Sequence, residues 1–296
     1  LIEVKPVTGC NLCCSFCSVS EGGSEKQTDF LIEAEYLADG LKKVIDEKGL
    51  KEGVEIHFSC NGEPLLYGDI LHLIRKIREI SAVKHISMDT NGVLLTRKFI
   101  DDLQEAGLTR INLSLNTLDA KKARELAGKI VNVHHLKNMA EYIANHPKID
   151  LLIAPLWIPG NNDKDIEDII EFAKDLMITL GIQNYLNYKG GRFVQEQISW
   201  DDFRAKLKGW ERKYDVKLIM DMPKDFSIRK VKQLKKPFRK GNTVEGGIVC
   251  SGHNRGDMIA ASDDRMITVR CRKKAGDRVK IRITGDKHNI FYGEII

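Results

Sequence analysis

Three cysteines near the start of the chain, Cys10, Cys14 and Cys17, have a spacing suited to binding a metal cluster. Three closely spaced thiolates can bind three irons of a 4Fe–4S cluster, and they leave the fourth iron without a protein ligand. A ferredoxin-type electron carrier has a fourth cysteine in the same run, whereas here the next cysteine outside the motif is Cys60. Because an iron with an open position can bind another molecule, the spacing predicts a cluster that takes part in chemistry.

Zinc is the alternative metal for this loop, since zinc also binds paired cysteines. A structural zinc site has four ligands, usually with a second pair downstream, and the sequence lacks that pair. Ordinary buried thiols are a second alternative, but they fit poorly with the polar Asn11 and Ser15 among them. Cys13 would break the spacing if it replaced Cys14, so we predict that Cys13 is a packed thiol that does not bind the metal.

The cysteine loop, residues 8–17, resembles the signature of the radical S-adenosylmethionine (radical SAM) enzymes. Three further segments resemble motifs of the same family and follow in the family's order. These segments are Asn61-Gly62-Glu63-Pro64, Thr90-Asn91-Gly92 and Ser114-Leu115-Asn116. The first of them departs from the family's Gly-Gly-Glu-Pro motif, because Asn61 takes the place of the first glycine. The resemblance covers residues 1 to about 221.

The resemblance implies that Cys10, Cys14 and Cys17 bind a 4Fe–4S cluster and that S-adenosylmethionine binds its open iron. One electron from the cluster would then cleave the cofactor to methionine and a 5′-deoxyadenosyl radical. The residues for which it implies cofactor contacts are Phe16, Asn61, Gly62, Glu63, Pro64, Thr90, Asn91, Ser114, Asn116 and Pro159. Within that set, Glu63 can face the ammonium of the cofactor, while Ser114 and Asn116 lie on one face of a strand and can bind ribose hydroxyls.

Three of these interpretations leave alternatives open. Ser114 could instead be a buried hydroxyl bonded to the backbone, and Pro159 could belong to a plain strand-to-helix turn. Cys60 is a candidate catalytic residue, as a hydrogen-atom donor or covalent partner, or else a small buried hydrophobic residue. His57, which alternates with Cys60 along the same predicted strand, is expected to be a hydrogen-bonded core histidine.

An alternation of strands and helices must position these residues. The apolar runs that predict buried strands are residues 2–7, 54–60, 85–88, 111–115, 151–157 and 182–188. Between them, helical patterns begin after the potential N-caps Asp29, Asp69, Thr96 and Asp163. Six βα units predict an α/β fold, a partial (β/α)6 barrel of the radical SAM kind. Each of the four motifs directly follows a predicted strand, where parallel sheets carry their chemistry.

The chain changes character after residue 221. Residues 222–236 read as a basic linker, and residues 237–296 contain five short alternating stretches that predict a small all-β, OB-like barrel. Residues 237–242, 278–283 and 287–295 resemble a TRAM domain, an RNA-binding barrel of tRNA-modifying enzymes that include the radical SAM methylthiotransferases. The two-domain order resembles an archaeal-type family of radical SAM proteins. The residues given do not support methylthiolation, because those enzymes have a further N-terminal domain with three more cysteines, unless a missing upstream segment contained that domain.

Charge is divided unevenly along the chain. Residues 229–296 contain 17 Lys and Arg against 7 Asp and Glu, whereas residues 1–228 contain 30 against 35. This asymmetry indicates either a polyanionic partner or a solvated basic face. If the partner is RNA, the residues expected to contact it are Lys235, Lys236, Phe238, Arg239, Lys240, Arg255, Lys287 and His288.

The sequence as a whole predicts a cytoplasmic enzyme that modifies RNA, with tRNA as the first candidate. The seven cysteines are an odd number, with three of them in the motif, which favours a reducing compartment. No apolar run reaches the roughly 20 residues that cross a bilayer, so no membrane association is expected. The chain begins with Leu1 rather than Met, which leaves an upstream segment open. An electron donor such as ferredoxin or flavodoxin is an expected partner. The alternatives are a protein or lipid substrate, and an RNA-binding redox sensor.

Overall fold

The computed structural model describes residues 1–24, 26–226 and 228–296, with the backbone alone for Met222. The chain divides into two compact units. The first contains Leu1–Gly22 and Leu31–Val231, and the second contains Gly23–Phe30 and Lys232–Ile296. Among the helices of the described residues, none is both long enough and apolar enough to cross a membrane.

The first unit is built on a parallel sheet. Its strands are β1 Ile2–Val4, β2 Thr8–Gly9, β3 Val54–Phe58, β4 Asn61–Gly62, β5 Val83–Thr90, β6 Arg110–Leu113, β7 Asp150–Ile153, β8 Leu156–Trp157, β9 Thr179–Leu180 and β10 Gln183–Asn184. Six of them pair in the order β1-β3-β5-β6-β7-β9, and the pairs β2–β4 and β8–β10 extend the carboxyl ends of that sheet. The predicted α/β fold with a partial barrel of parallel strands is confirmed.

Helices connect these strands. They are α1 Ala34–Lys48, α2 Ile70–Arg78, α3 Arg97–Ala106, α4 Ala120–Ala127, α5 Val133–Ala144, α6 Asp163–Asp175, α7 Trp200–Tyr214 and α8 Met222–Asp225. The predicted cap at Thr96 is confirmed, because its hydroxyl accepts from the amide of Phe99 at 3.1 Å. Asp69 precedes α2 without accepting a capping bond. The other two predicted caps are wrong, since α1 begins after Glu33 and α6 begins after Asn162.

Two predicted strands differ from the observed ones. The fifth, residues 151–157, is divided into β7 and β8, because Pro155 has no N–H to donate to a strand ladder. The sixth was placed at residues 182–188, but the chain forms β9 and β10 on either side of Gly181. Gly181 donates to the carbonyl of Ile153 at 2.9 Å, so this segment follows the break in its neighbour.

The second unit is a closed barrel of five strands, as the sequence predicted. Its strands are β11 Thr243–Ser251, β12 Asp257–Ser262, β13 Arg265–Arg270, β14 Arg278–Gly285 and β15 Phe291–Ile295. They pair in the order β11-β12-β13-β15-β14, and β11 also pairs with β14. The β13–β15 pair is parallel, whereas the other pairs are antiparallel.

Strand alternation separates the barrel core from its surface. Along β14, Val279, Ile281 and Ile283 are buried while the cationic residues between them are exposed. The expectation that Phe238 contacts RNA is wrong, because its side chain is 3% exposed and its ring packs edge-on against Phe291 with 5.2 Å between centroids. A barrel of this size needs large apolar side chains to fill its interior, and Phe238 is one of them.

Residues 26–30 belong to the second unit, which the boundaries drawn from the sequence at 221 and 237 did not anticipate. The backbone amide of Gln27 donates to the carbonyl of His253 at 3.0 Å. The side-chain amide of Gln27 donates to the carbonyls of Gly252 and Asp257, both at 2.9 Å. These bonds involve backbone groups, which have no side-chain signature in the sequence.

Helix α7 is fixed to α6 by one carboxylate. Glu167 accepts hydrogen bonds from Lys213 at 2.7 Å, Tyr214 at 2.9 Å and the indole N–H of Trp210 at 3.0 Å. The hydrogen bond from Lys213, followed by those from Trp210 and Tyr214, lowers the pKa of Glu167 to about 2. A carboxyl with a lowered pKa stabilises the fold above its unfolded pKa and loses that effect as the pH falls towards its folded pKa.

We therefore expect Glu167→Gln to lower the free energy of unfolding at pH 7 by on the order of 2 kcal/mol. The difference from the unsubstituted protein should shrink as the pH falls from about 4.5 towards about 2. Urea unfolding followed by circular dichroism at several pH values would measure it. The control is Glu171→Gln on the exposed face of α6, and an equal effect of both substitutions at every pH would contradict the assignment.

Candidate active site

A cavity of about 370 Å³ opens at the carboxyl ends of the parallel strands, and Cys10, Cys14 and Cys17 line it together. This volume lies within the range of roughly 300–1,000 Å³ that is usual for small-molecule sites. Burial raises the pKa of the Cys14 thiol, and the three thiols are close enough that negative charge on Cys10 or Cys17 raises it further. Burial is the larger cause, and the two effects together raise the pKa of Cys14 to about 12.

Backbone amides already point at two of these sulfurs. The amide of Leu12 donates to Cys10 Sγ at 3.4 Å, and the amide of Glu21 donates to Cys17 Sγ at 3.3 Å. Hydrogen bonds to cluster sulfurs are among the factors that set the reduction potential of an iron–sulfur centre. Three soft thiol ligands in one loop, with donors directed at them, fit a 4Fe–4S cluster that has one open iron.

The end of α4 fixes the orientation of the cysteine loop. The last carbonyls of a helix have no partner inside the helix, and those of Leu126 and Ala127 accept from the amides of Ser15 and Cys13 at 2.9 and 3.0 Å. Gly128, which follows with a φ of +66°, has room for no side chain, because a Cβ there would lie 2.4 Å from the carbonyl oxygen of Cys13. Cys13 does not line the cavity, and its role as a packed thiol that does not bind the metal stays a prediction.

Arg192 holds the same loop and was not identified from the sequence. Its guanidinium donates to the carbonyls of Cys14 at 2.7 Å, Glu21 at 2.8 Å and Ser20 at 3.1 Å. Its own amide donates to the carbonyl of Cys17 at 2.9 Å. The five donors of a guanidinium suit this task. No local pattern marks Arg192, because it lies 178 residues after Cys14.

The turn at Asn61–Gly62 is forced into place by its neighbour. Strand β4 pairs with β2, so that Gly62 lies opposite Gly9. A Cβ at Gly62 would lie 1.8 Å from the carbonyl oxygen of Gly9, and the φ of +139° also favours glycine. The structural requirement for Gly62 is therefore the close approach of the strand that leads into the cysteine loop.

Glu63 joins this turn to the next one. Its carboxylate is 2% exposed and accepts from Thr90 Oγ1 at 2.6 Å, the amide of Asn91 at 2.8 Å and the amide of Leu65 at 3.1 Å. Burial raises its pKa, although these hydrogen bonds act in the opposite direction. A carboxylate has about four acceptor sites. With three of them used, one remains for a donor such as the cofactor ammonium.

Asn91 extends this connection to the cysteine loop. Its side-chain amide donates to Asn11 Oδ1 at 2.7 Å and reaches Cys10 Sγ at 3.8 Å, while its Oδ1 accepts from the amide of Val93 at 3.0 Å. Three of the motifs recognised in the sequence are thus joined by one continuous hydrogen-bond chain, which passes from Asn11 through Asn91 to Glu63.

Seven of the ten residues expected to contact the cofactor line the cavity, and they are Phe16, Gly62, Glu63, Thr90, Asn91, Ser114 and Asn116. Asn116 Oδ1 accepts from the amide of Leu156 at 2.8 Å, which aligns its side chain with the fifth strand segment. The contacts of these residues with a cofactor stay a prediction.

The other three expected residues lie outside the cavity lining. Asn61 Oδ1 accepts from Lys5 Nζ at 3.1 Å. Pro64 is buried at the start of a short 3-10 turn. The carbonyl of Pro159 accepts from the side chain of Gln195 at 2.9 Å, and the following Gly160 donates to Asp163, which is the plain strand-to-helix turn considered as the alternative.

Cys60, the candidate catalytic thiol, also lines the cavity. Burial raises its pKa to about 12, so it is a protonated thiol at neutral pH. A protonated thiol suits hydrogen-atom donation better than nucleophilic attack, which needs the thiolate. Its catalytic role stays a prediction.

Several further polar residues of the cavity were missed, among them Asp89 and Asn184. Asp89 precedes Thr90 on β5, and Asn184 ends β10. The Asn184 side chain is 7% exposed, and both of its polar atoms lack a partner among the described residues. A buried amide without partners costs about 1–3 kcal/mol per group, so Asn184 is available for a ligand. Asn184 lies inside the predicted strand 182–188, but it belongs to no motif that marked it as a site residue.

We expect Cys10→Ala, Cys14→Ala and Cys17→Ala each to lower the iron content of protein reconstituted with iron and sulfide. Cys13→Ala should leave it unchanged, because this residue does not face the cavity. Iron analysis and the visible absorption spectrum would measure both effects. Loss of the brown colour in the Cys13 variant alone would contradict this assignment of ligands.

Arg192→Ala should release iron to a chelator several-fold faster than the unsubstituted protein. The substitution removes three hydrogen bonds from a charged group to the loop, each contributing about 1.5–3 kcal/mol. Arg204→Ala, which changes an exposed arginine on α7, serves as the matched control. Equal rates of iron release for the two variants would show that Arg192 does not hold the loop.

Comparison with known proteins agrees with this geometry. A family model of the radical SAM superfamily matches residues 4–173. An uncharacterized protein of Methanocaldococcus jannaschii is 38% identical over 328 aligned positions, which cover 100% of this chain and 75% of that protein. The GTP 3′,8-cyclase of Aquifex aeolicus is 32% identical over 190 residues, 63% of this chain and 57% of the cyclase. The chain thus spans little more than half the length of that cyclase.

Among solved structures, Streptococcus suis SuiB bound to S-adenosylmethionine superposes on 73% of this chain and 48% of SuiB, with a TM-score of 0.57 and 21% identity. At this identity the match shows a shared fold. The family model covers more than half of the chain and contains the cysteine loop with the turns that surround the cavity. The chain belongs to the radical SAM superfamily, and its cofactors are a 4Fe–4S cluster and S-adenosylmethionine.

Proposed function

We propose that this radical SAM enzyme modifies a nucleoside of RNA, with tRNA as the first candidate, and that its five-stranded barrel binds the RNA. The observation that carries the proposal is the set of exposed, unpaired cations on that barrel. Lys236 pairs with Asp286 at 3.4 Å and Arg282 pairs with Glu294 at 3.2 Å. The exposed cations without an ion-pair partner among the described residues are Lys235, Arg239, Lys240, Arg255, Arg265, Arg270, Arg272, Lys273, Lys274, Arg278, Lys280 and Lys287.

The architecture of the barrel supports the same proposal. Its strand order, with one parallel pair that closes the sheet, is the order expected of an OB-like barrel, a fold that often binds oligonucleotides. Such proteins combine a cationic surface with side chains on which bases stack. Tyr292 is 53% exposed and lies beside Thr268 on the parallel neighbour β13, and His288 is also exposed. Because Phe238 is buried, we propose Tyr292 and His288 as the rings on which RNA bases stack.

The residues of the cavity have different proposed roles in the reaction. When bound, the cluster and S-adenosylmethionine supply a carbon-centred radical that can abstract a hydrogen atom from a substrate. Glu63 offers one acceptor site for the ammonium of the cofactor. Ser114 and Asn116, which line the same cavity, are the proposed partners of the ribose hydroxyls. The apolar wall, which includes Leu126, Val133 and Leu136, excludes water from the reacting atoms.

The similarity to GTP 3′,8-cyclases makes a free nucleoside triphosphate a second candidate substrate. The described residues that line the cavity include Glu21, Glu63 and Asp89 but no Lys, Arg or His. A triphosphate would need cationic partners, which this lining does not offer. In RNA the phosphates are distributed along the strand, so the barrel cations can bind them while the cavity receives a base.

We expect tRNA binding to weaken steeply with salt, because each phosphate neutralised on a duplex adds about 0.9 to the slope of log K against log salt. Replacing Arg239, Lys240, Lys273 and Lys274 by Ala should reduce that slope by up to about 3.6. The control replaces four exposed lysines of the first unit, Lys51, Lys84, Lys121 and Lys208. Filter binding of labelled tRNA at several salt concentrations would measure both.

The proposal fails if the protein binds no RNA, or if the two sets of substitutions change the slope equally. If the protein does bind RNA through these cations, mass spectrometry of tRNA nucleosides from cells with and without the gene would identify the modified nucleoside. A protein or lipid substrate is favoured if RNA is unchanged while reductive cleavage of S-adenosylmethionine persists. A redox sensor is favoured if RNA binds but the cofactor is never cleaved.

A further inference from the structure

In the first unit, the inner face of the parallel sheet carries a ring of hydrogen-bonded polar side chains, which we call the polar ring. Glu55 and His57 lie on β3, Ser87 and Asp89 on β5, and Arg110 and Asn112 on β6, each pair two residues apart and therefore on one face of its strand. Strand pairing places His57 beside Ser87. On the other side of β5, Arg110 lies beside Ser87 and Asn112 lies beside Asp89.

The bonds of this polar ring close on themselves. Arg110 donates to Glu55 at 2.5 Å, Glu55 accepts from Ser87 at 2.6 Å, and Ser87 contacts His57 Nδ1 at 2.8 Å. His57 Nε2 contacts Asp89 Oδ2 at 3.1 Å.

Asn112 completes the polar ring from the other side. Its Nδ2 donates to Asp89 Oδ1 at 2.9 Å, and its Oδ1 accepts from Arg110 Nε at 3.0 Å. Each of the two oxygens of Asp89 is thus fixed by a ring member. Since five of the six residues are mostly buried behind it, the ring holds the Asp89 carboxylate in one orientation.

Asp89 is the member of the polar ring that lines the cavity, and its side chain is 38% exposed. A carboxylate has about four acceptor sites, and the ring uses one on each oxygen. The other two carboxylates of the lining are buried, since Glu21 and Glu63 are each 2% exposed. Asp89 therefore offers the cavity two adjacent acceptors at a fixed position.

Two adjacent acceptors select a partner with two adjacent donors. Among the RNA bases, guanine presents such an edge, because its N1–H lies beside its 2-amino group. Adenine and cytosine place a ring acceptor beside their amino group, and uracil places its N–H between two carbonyls. A carboxylate would be repelled by each of those neighbouring acceptors, since an ionised carboxylate accepts and cannot donate.

We infer that Asp89 is the substrate-recognition residue of the cavity and that the group it binds is the Watson–Crick edge of a guanine. The inference rests on the proposed function only for the substrate being a nucleobase. His57 and Asn112 act as positioning residues. A base removed from its stack is commonly recognised by hydrogen bonds to this edge.

The test uses cluster-loaded protein with S-adenosylmethionine, under anaerobic conditions and without reductant, so that binding is measured without turnover. Equilibrium dialysis would compare guanosine with inosine, which lacks the 2-amino group, with 1-methylguanosine, which lacks the N1–H, and with adenosine. A two-point hydrogen bond discriminates by about 5- to 150-fold. We expect guanosine to bind at least about fivefold more tightly than each of the other three.

Asp89→Asn should abolish this preference, because an amide offers one acceptor where the carboxylate offers two. Asp150→Asn makes the same change of charge at an exposed residue that does not line the cavity, and it should keep the preference. Iron content and thermal unfolding of both variants report on the fold. The nucleoside series on the unsubstituted protein tests the inference even if the Asp89 variant is unstable.

Equal binding of guanosine, inosine and 1-methylguanosine to the unsubstituted protein would overturn the inference and leave the RNA proposal standing. Guanosine binding that depends on Asp89, in a protein that binds no RNA, would uphold the inference and overturn the RNA proposal. N-acetylarginine amide is the competing probe, because a guanidinium also offers paired donors. Its binding through Asp89 in the absence of guanosine binding would overturn the inference and favour a protein substrate.

Discussion

The buried carboxylate of Glu63 is the interaction on which the rest of the active site depends. It accepts from Thr90, Asn91 and Leu65, so that two strand-end turns are held at one fixed separation. Asn91 then reaches Asn11 in the cysteine loop. Burial opposes the charge on Glu63, and a buried charge is tolerated only when donors surround it. The three donors therefore do two things, because they stabilise the carboxylate and set the positions of the motifs around the cavity.

The polar ring, which runs from Arg110 to Asp89, is a second fixed arrangement of side chains inside the first unit. A ring in which every member has a partner is rigid, whereas a partly satisfied one is costly. Glu63 organises the side of the cavity near the cysteine loop, and the ring presents Asp89 to the same cavity. In the assignment proposed above, Glu63 contacts the cofactor and Asp89 selects the base, so the two tasks fall to separate residues of one cavity. The second unit has its own hydrophobic core and a cationic surface, and in the proposed function this surface binds the polyanionic substrate.

Much of this site could be predicted because its chemistry is encoded locally. The cysteine spacing and the strand-end turns are short motifs, and their order along the chain matches the order of the strands. The polar ring could not be predicted, since Glu55 and Arg110 are 55 residues apart and no short pattern joins them. Arg192 was missed for the same reason. Phe238 was misplaced because an aromatic residue among cations resembles a stacking site, although the barrel needed its ring inside. The predicted sixth strand contains β10 but missed β9, because two-residue strands have too few positions to show a period.

The most direct test of this account is electron paramagnetic resonance of the dithionite-reduced, cluster-loaded protein before and after addition of S-adenosylmethionine. If Cys10, Cys14 and Cys17 leave one iron open beside Glu63, the cofactor binds that iron and changes the g values of the reduced cluster. With cofactor labelled with ¹⁵N at its amino group, electron–nuclear double resonance should also detect a coupling to the cluster. A spectrum that stays unchanged at saturating S-adenosylmethionine would contradict the account, because it would mean that the cavity does not bring the cofactor to the cluster.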